Sequence, residues 1–348
     1  MNDEIEEVEE IEEIEELGAS PEEDENVVAV FDPFVNSIFP VLLVDGRLKI
    51  LFSNSACKNL FLGFDNLRGQ YLTDLLGKFL EMSDIRSIRE TLGRGANSYS
   101  WKGEIRIKSR ERAALQVKVF IFPADVSEKE PRTFITMFDD VTEENKELLR
   151  SVFLSLLEAS KLKDNDTGKH ITRVNYYSKR LASELFNKKG YERIDADFID
   201  NIGFLASMHD VGKIGTPDDI LNKEGPLSDW EWAVMKEHTK NGAFILSTYP
   251  NPMAKEIALS HHEKWNGSGY PFNLEGDMIP LAARIVSIAD VYDALRMERS
   301  YKPAVDHKTT VEKIMESKNT QFDPSLADVF YAIAGDFEDI YEKNRDIR

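Results

Sequence analysis

Five of the six histidines in this 348-residue sequence fall between His170 and His262. Along the chain come Asp166 and His170, the neighbours His209 and Asp210 with Lys213 behind them, His238, the pair His261-His262, and Asp290. Neutral imidazoles and carboxylates together suit first-row transition metals, and this set exceeds what one cation takes, so at least two divalent ions are implied. Neighbouring residues on a helix point about 100° apart, so His209 and Asp210, or His261 and His262, could each flank a pair of ions, with Asp210 the candidate bridge. Asp166 and His170, four apart, would share one face if their segment is helical, with Gly168 between them. Lys213 follows His209 by one turn, and an ammonium beside metal ions is costly unless a ligand brings negative charge. Phosphate supplies that charge. The chemistry expected is metal-assisted hydrolysis of a phosphate ester, with Asp210 and Lys213 as catalytic residues and Lys213 stabilising charge on the reacting oxygens.

Such a set needs helices to aim it. From about residue 174 the text is helical, over 174–187, 197–209, 229–248, 253–265, 282–296 and 309–317, and strand signals are absent. A helical bundle whose ligands project inward is a known way to build a dinuclear site. Residues 31–141 read differently. Val41 to Val44 and Leu48 to Phe52 form two strands about an Asp45-Gly46 turn, and 103–108, 115–122 and 133–138 are rich in residues that favour pleated surfaces. Helical text at 54–62 and 83–92 lies between the two strand groups, which predicts an α+β domain with an antiparallel sheet. Residues 143–162, without Gly or Pro, predict a helix joining the two domains. Leu148, Val152, Ser155 and Ala159 recur on it at spacings of three and four, a face suited either to a second copy in a parallel homodimer or to the chain's own catalytic domain. The expected organisation is 1–30 acidic tail, 31–141 first domain, 142–162 connecting helix and 163–348 catalytic domain.

Composition narrows the partners. The net charge of -20 resides mainly in residues 1–26, which hold 14 acidic and no basic residues and leave 49 acids against 43 bases elsewhere. Ile5, Val8, Ile11, Ile14 and Leu17 spiral around a helix rather than forming one face, so this tail is expected to be disordered or frayed. No basic stripe suggests a nucleic-acid polymer, and no run of about 20 uncharged apolar residues suggests a membrane span. An acidic amino terminus without a signal segment and the single Cys57 point to the cytoplasm. Cys57 itself reads as a small buried apolar residue, and Trp230, Trp232 and Trp265 read as core.

Residues 35–145 resemble a PAS domain. The hairpin, Ser53-Asn54-Ser55-Ala56 leading to Leu60-Phe61-Leu62-Gly63-Phe64, Arg68-Gly69-Gln70-Tyr71-Leu72, and the exit Phe138-Asp139-Asp140-Val141-Thr142-Glu143-Glu144 carry the likeness. It implies a sensor for a small ligand that the sequence does not identify. The chain's first histidine is His170, so this domain offers no histidine to a haem.

Residues 150–340 resemble the HD-GYP family. His209-Asp210-Val211-Gly212-Lys213-Ile214-Gly215 is similar to its HD motif, and His261-His262-Glu263-Lys264-Trp265-Asn266-Gly267-Ser268-Gly269-Tyr270-Pro271 to its GYP stretch. Ile279-Pro280-Leu281, Arg284-Ile285, Ala289-Asp290-Val291-Tyr292-Asp293-Ala294-Leu295 and Arg299-Ser300-Tyr301-Lys302-Pro303 continue it. The resemblance implies an all-α HD-type bundle that hydrolyses cyclic di-GMP to pGpG, with GMP a further product. It implies metal ligation by His209, Asp210, His238, His261, His262 and Asp290, with His170 and Asp166 adding ligands, and two or three divalent ions, commonly iron, with manganese supporting activity. Relatives with a third ion usually carry a glutamate where this chain has the shorter Asp166. Tyr270, Asp293, Arg299 and Lys302 match substrate-contacting positions. The competing expectations are a non-catalytic cyclic-dinucleotide sensor and an HD hydrolase of another cyclic nucleotide.

Overall fold

The computed structural model describes residues 31–62, 66–93, 99–108, 113–124, 133–161, 163, 168–298 and 303–345. The acidic tail, Asp166, Arg299 and Lys302 lie outside the described residues. Two compact units result, the first running to Ile107 and resuming over Leu115–Glu144, the second made of Lys108–Ala114 and the chain from Asn145.

In the first unit, strands β1 (Val41–Asp45), β2 (Ile50–Ser53), β3 (Trp101–Ile107), β4 (Leu115–Pro123) and β5 (Thr133–Asp140) form one antiparallel sheet in the order β2-β1-β5-β4-β3. Period-two alternation makes one face of β4 apolar: Val117, Val119 and Ile121 are buried while their neighbours are not. Helices α1 (Ala56–Leu60), α2 (Leu72–Leu76) and α3 (Met82–Leu92) lie between β2 and β3 in sequence, and their leucines and isoleucines join that buried face in one core. The α+β arrangement expected of this region is thus observed, with α2 an addition. The Asp45 carboxylate closes the first hairpin by accepting from the amides of Arg47 and Lys49 at 2.9 and 2.8 Å. Cys57 is buried as expected, and burial pushes its thiol up to about 11.

Helix α4 (Thr142–Lys161) follows, with Glu143 and Glu144 in its first turn, where carboxylates complement the helix dipole. Phe153 and Leu157 on it are buried, whereas Leu148 and Val152 are exposed.

The second unit is helical: α5 (Gly168–Leu185), α6 (Ala196–Leu205), α7 (Asp218–Leu221), α8 (Asp229–Lys236), α9 (His238–Ile245), α10 (Pro252–Ser260), α11 (Leu281–Arg296), α12 (His307–Glu316), α13 (Pro324–Ala332) and α14 (Ala334–Lys343). Short side chains fix where helices start. Asp195 caps α6 through the Phe198 amide, Asp306 caps α12 through the Thr309 amide, and Ser228 with Glu231 forms a capping box on α8. Helix α11 is buried along most of its length, as its apolar run Ala-Ala-Arg-Ile-Val-Ser-Ile-Ala demands, and it packs beside Tyr177, Phe330 and Phe337.

Several expected boundaries move. The single helix expected over 229–248 is two, hinged at Glu237, and those expected over 197–209 and 253–265 end at Leu205 and Ser260. Trp230 and Trp232 are 69% and 47% exposed rather than core residues, because α8 lies at the surface and buries none of its residues. Among the described residues no helix is long and apolar enough to cross a membrane.

Candidate metal centre

His209 and Asp210 do not sit on an α-helix. They join two 3-10 turns, Ala206–Met208 and Val211–Gly215, so the 100° argument for adjacent side chains does not apply to them. A glycine brings the second turn against α9. A Cβ on Gly212 would lie 1.9 Å from the His238 carbonyl oxygen and 2.3 Å from the Gly242 nitrogen, so no other residue lets these backbones meet. The close approach sets His238 beside Asp210. Through the same turn Lys213 returns its Nζ to 2.9 Å from Asp210 Oδ2.

Two clusters result. Asp210, His238, His261 and His262 form one, and His170, His209 and Asp290 the other, with the ligand atoms of each within 4.8 Å of one another. Asp210 stands between them: its Oδ1 is 3.3 Å from His238 Nε2 and 3.6 Å from His261 Nε2, while its Oδ2 is 3.3 Å from His209 Nε2. Asp290 Oδ1 lies 3.6 Å from His170 Nε2 and 3.8 Å from His209 Nε2.

The imidazoles are oriented by their other nitrogens. His209 Nδ1 faces the Ala206 carbonyl at 2.9 Å, His238 Nδ1 the Met235 carbonyl at 2.7 Å, and His261 Nδ1 the Ile257 and Ala258 carbonyls at 3.1 and 3.2 Å. A carbonyl only accepts, so Nδ1 must carry the proton and the Nε2 lone pair points into the site. Among the described residues those three Nε2 atoms and Asp210 Oδ1 are buried without a hydrogen-bond partner. Buried acceptors left unsatisfied cost about 1–3 kcal/mol each, and divalent cations would satisfy them together, so the residues fit a metal centre.

Charge agrees with that fit. Burial works to lower the His209 imidazole, yet Asp210 and Asp290 outweigh it and raise the group to about 9, so without a cation a second proton takes the Nε2 position that a cation would occupy. Burial holds His238 down to about 4 and His262 well below the usual imidazole range, leaving both neutral with lone pairs available. Asp210 stays well below the carboxylate range because Lys213 and His209 overcome its burial. The Asp210 and Asp290 carboxylates thus favour positive charge at His209, which is what a cation would supply.

Asp293, which the resemblance matches to a substrate contact, is fully buried; Oδ1 accepts from Arg173 Nε at 2.6 Å, and Oδ2 takes Arg173 Nη2 at 2.9 Å and faces His170 Nδ1 at 2.8 Å. The carboxylate thus holds the His170 ring through Nδ1. Arg173 went unnoticed in the sequence, although it sits three residues after His170 on α5 and therefore on the same face. Glu263 was also missed as a separate role. Buried next to His262, it accepts from the Phe272 amide at 2.7 Å and the Leu274 amide at 3.0 Å, tying the glycine-rich loop to the histidine pair. Gly269 allows the loop to close, since a Cβ there would lie 2.3 Å from the Lys264 nitrogen. Tyr270 on this loop packs on His262, ring centroids 4.8 Å apart and planes 30° apart. His307, the sixth histidine, is half-buried between the Tyr292 hydroxyl and Glu338.

Residues 200–326 match the family model of the HD domain. The chain is 42% identical over 193 residues to a cyclic di-GMP phosphodiesterase of Vibrio cholerae, covering 53% of this chain and 39% of that protein. It is 41% identical over 198 residues to the 3'3'-cGAMP-specific phosphodiesterase 2 of the same organism, covering 56% and 36%. With a cyclic di-GMP phosphodiesterase of Thermotoga maritima it shares 34% identity over 236 residues, covering 67% and 59%. The chain thus spans less than half the length of the first two relatives and less than two thirds of the third.

Proposed function

We propose that the chain, whose residues 200–326 match the family model of the HD domain, is a metal-dependent phosphodiesterase that opens cyclic dinucleotides. The observation that carries this reading is the pair of clusters joined by Asp210, in which the Nε2 atoms of His209, His238 and His261 and Asp210 Oδ1 are buried with no hydrogen-bond partner among the described residues. Asp210, His238, His261 and His262 would hold one cation, and His170, His209 and Asp290 another, with Asp166 a further ligand if its carboxylate reaches the second. Bound, the cations supply Lewis acidity that makes hydroxide available near neutral pH and polarises a phosphoryl oxygen.

The chain's own groups do the rest. Lys213, 2.9 Å from Asp210 and 19% exposed, faces the place where phosphate charge builds and can stabilise it or donate a proton to the departing ribose oxygen. Asp293 and Arg173 keep His170 aimed, and Glu263 keeps Tyr270 against His262. Arg299 and Lys302, suited to phosphate and guanine acceptors, complete the substrate set in this proposal.

Cyclic di-GMP is the substrate we favour, with pGpG the first product, GMP the second if the linear dinucleotide rebinds, and iron or manganese the metal. The 41% identity to a relative named for 3'3'-cGAMP makes that hybrid the second reading. Incubating reduced, iron-loaded protein separately with cyclic di-GMP and 3'3'-cGAMP and following linear products tests both; no cleavage of either by fully metallated protein would sink the proposal. The PAS-like first unit is proposed as the regulatory input, taking a small ligand. The exposed face of Leu148, Val152, Ser155 and Ala159 on α4 is proposed as the seam of a parallel homodimer.

A further inference from the structure

Tyr270 also borders a cleft outside the metal clusters. This cleft has a volume of about 460 Å³, within the ~300–1,000 Å³ range of small-molecule sites. Trp232, Lys236 and Lys240 line it from α8 and α9, spaced four apart so that they follow one another along one face across the hinge at Glu237. Tyr270, Pro271 and Asn273 line it from the glycine-rich loop. Trp232 leaves nearly half its surface open, at 47%. Lys236 makes no ion pair among the described residues; its Nζ lies 5.3 Å from the Tyr270 ring centroid, which places a cation between the loop and the cleft. Lys240 is held 2.8 Å from Glu237.

Asp229 and Glu237 also line the cleft, Glu237 taken up by Lys240, so the features left for a ligand are an open indole, the Lys236 ammonium with no ion pair among the described residues and an aromatic ring in contact with a candidate metal ligand, which suit a flat base with a phosphate beside it. We propose that this cleft is a base subsite: it takes the purine of the nucleotide half that is not being cleaved, stacked on Trp232, while Lys236 faces the second phosphodiester. The inference rests on the phosphodiesterase reading above and adds to it how the far half of the substrate is held. A stack on Trp232 does not depend on which purine is offered, since every base presents a π-face. The subsite therefore contributes affinity for cyclic dinucleotides as a class, and discrimination between guanine and adenine falls to other residues.

The experiment uses the metal-loaded full chain and its Trp232→Ala and Trp232→Phe variants. Affinity for pGpG is measured by calorimetry, kcat and KM with cyclic di-GMP, and turnover of methyl p-nitrophenyl phosphate, a diester without a base. Base stacking is worth about 1–3 kcal/mol, and ~1.4 kcal/mol, in the lower part of that range, corresponds to a tenfold change. Trp232→Ala is expected to weaken pGpG binding and raise KM about tenfold, Trp232→Phe to restore both, and turnover of the base-free diester to stay unchanged. Unchanged pGpG affinity in Trp232→Ala, or an equal loss on the base-free diester, overturns the subsite. The two proposals separate cleanly. Wild type that binds pGpG through Trp232 but cleaves nothing keeps the subsite and removes the activity; wild type that cleaves cyclic di-GMP as well as Trp232→Ala does keeps the activity and removes the subsite.

Discussion

Arg173 and Asp293 meet as a two-pronged ion pair with both side chains fully buried, at 2.6 and 2.9 Å, and the same carboxylate holds the His170 ring. Such a pair adds little net stability when whole, but removing one partner strands a buried charge at about 3–5 kcal/mol. Arg173→Met is expected to lose about that much in urea unfolding. Asp293→Ala should weaken metal binding about 10–100-fold, since outer partners of ligating histidines act on affinity at that scale. Metal titration of folded Asp293→Ala that matches wild type would deny Asp293 this role.

Lys213 lies at the edge of the clusters, not within them. Lys213→Ala should therefore keep most of its metal while turnover of the preferred cyclic dinucleotide drops about 10²–10³-fold, the scale of one lost charge-stabilising donor. Elemental analysis beside the rate separates the cases. Metal loss with turnover per bound metal intact would assign Lys213 to assembly of the centre instead.

Asp210 presents one oxygen to each cluster, whereas His262 belongs to one. Asp210→Ala should empty both clusters, and His262→Ala should deplete one. Mass spectrometry of metal content in proteins purified alike provides the check. Equal stoichiometry in the two variants would mean that Asp210 does not link the clusters.

Gly212 and Gly335 make a matched pair. A methyl group on Gly212 meets backbone atoms at 1.9 and 2.3 Å, while one on the exposed Gly335 meets nothing within 4 Å. Gly212→Ala should destabilise by about 3 kcal/mol or more and displace His238. Gly335→Ala should be neutral or stabilising by up to about 1 kcal/mol. Thermal melts of the two, with metal content, decide it; a Gly212→Ala protein as stable as wild type with full metal would contradict the close approach.

Cys57 is 1% exposed, and burial pushes its thiol up to about 11. The thiolate is the reactive species, so at pH 8 a raised group reacts more slowly than a free thiol. Alkylation by iodoacetamide should be slow in native protein and fast in urea. Prompt labelling of the native protein would show that the first unit opens around α1.

Much of the candidate metal centre was legible because imidazoles and carboxylates at those spacings are chemically rare, whatever backbone carries them. The backbone was less legible. His209 and Asp210 read as the end of the helix expected over 197–209, yet the chain tightens into 3-10 turns so that Gly212 can lie on α9. Asp290 and Asp293 are three apart on α11, and only packing decides that one faces the clusters and the other is covered by Arg173. The break at Glu237 has no glycine or proline to announce it. Helix α13 was missed although Asp323-Pro324 opens it with a cap and a first-turn proline, signals that short helices share with turns.

The Glu263 clamp has a thermodynamic consequence. Because the loop bearing Tyr270 is fastened by Glu263 to the Phe272 and Leu274 amides before any ligand arrives, its conformational entropy is lost during folding rather than on association. Ligand capture should then look like docking to a preformed surface, with a heat-capacity change no larger than the apolar area covered accounts for. Calorimetry at several temperatures reads that difference directly: Glu263→Gln, with its grip on the two amides weakened, should show the more negative value that accompanies ordering of a loosened segment.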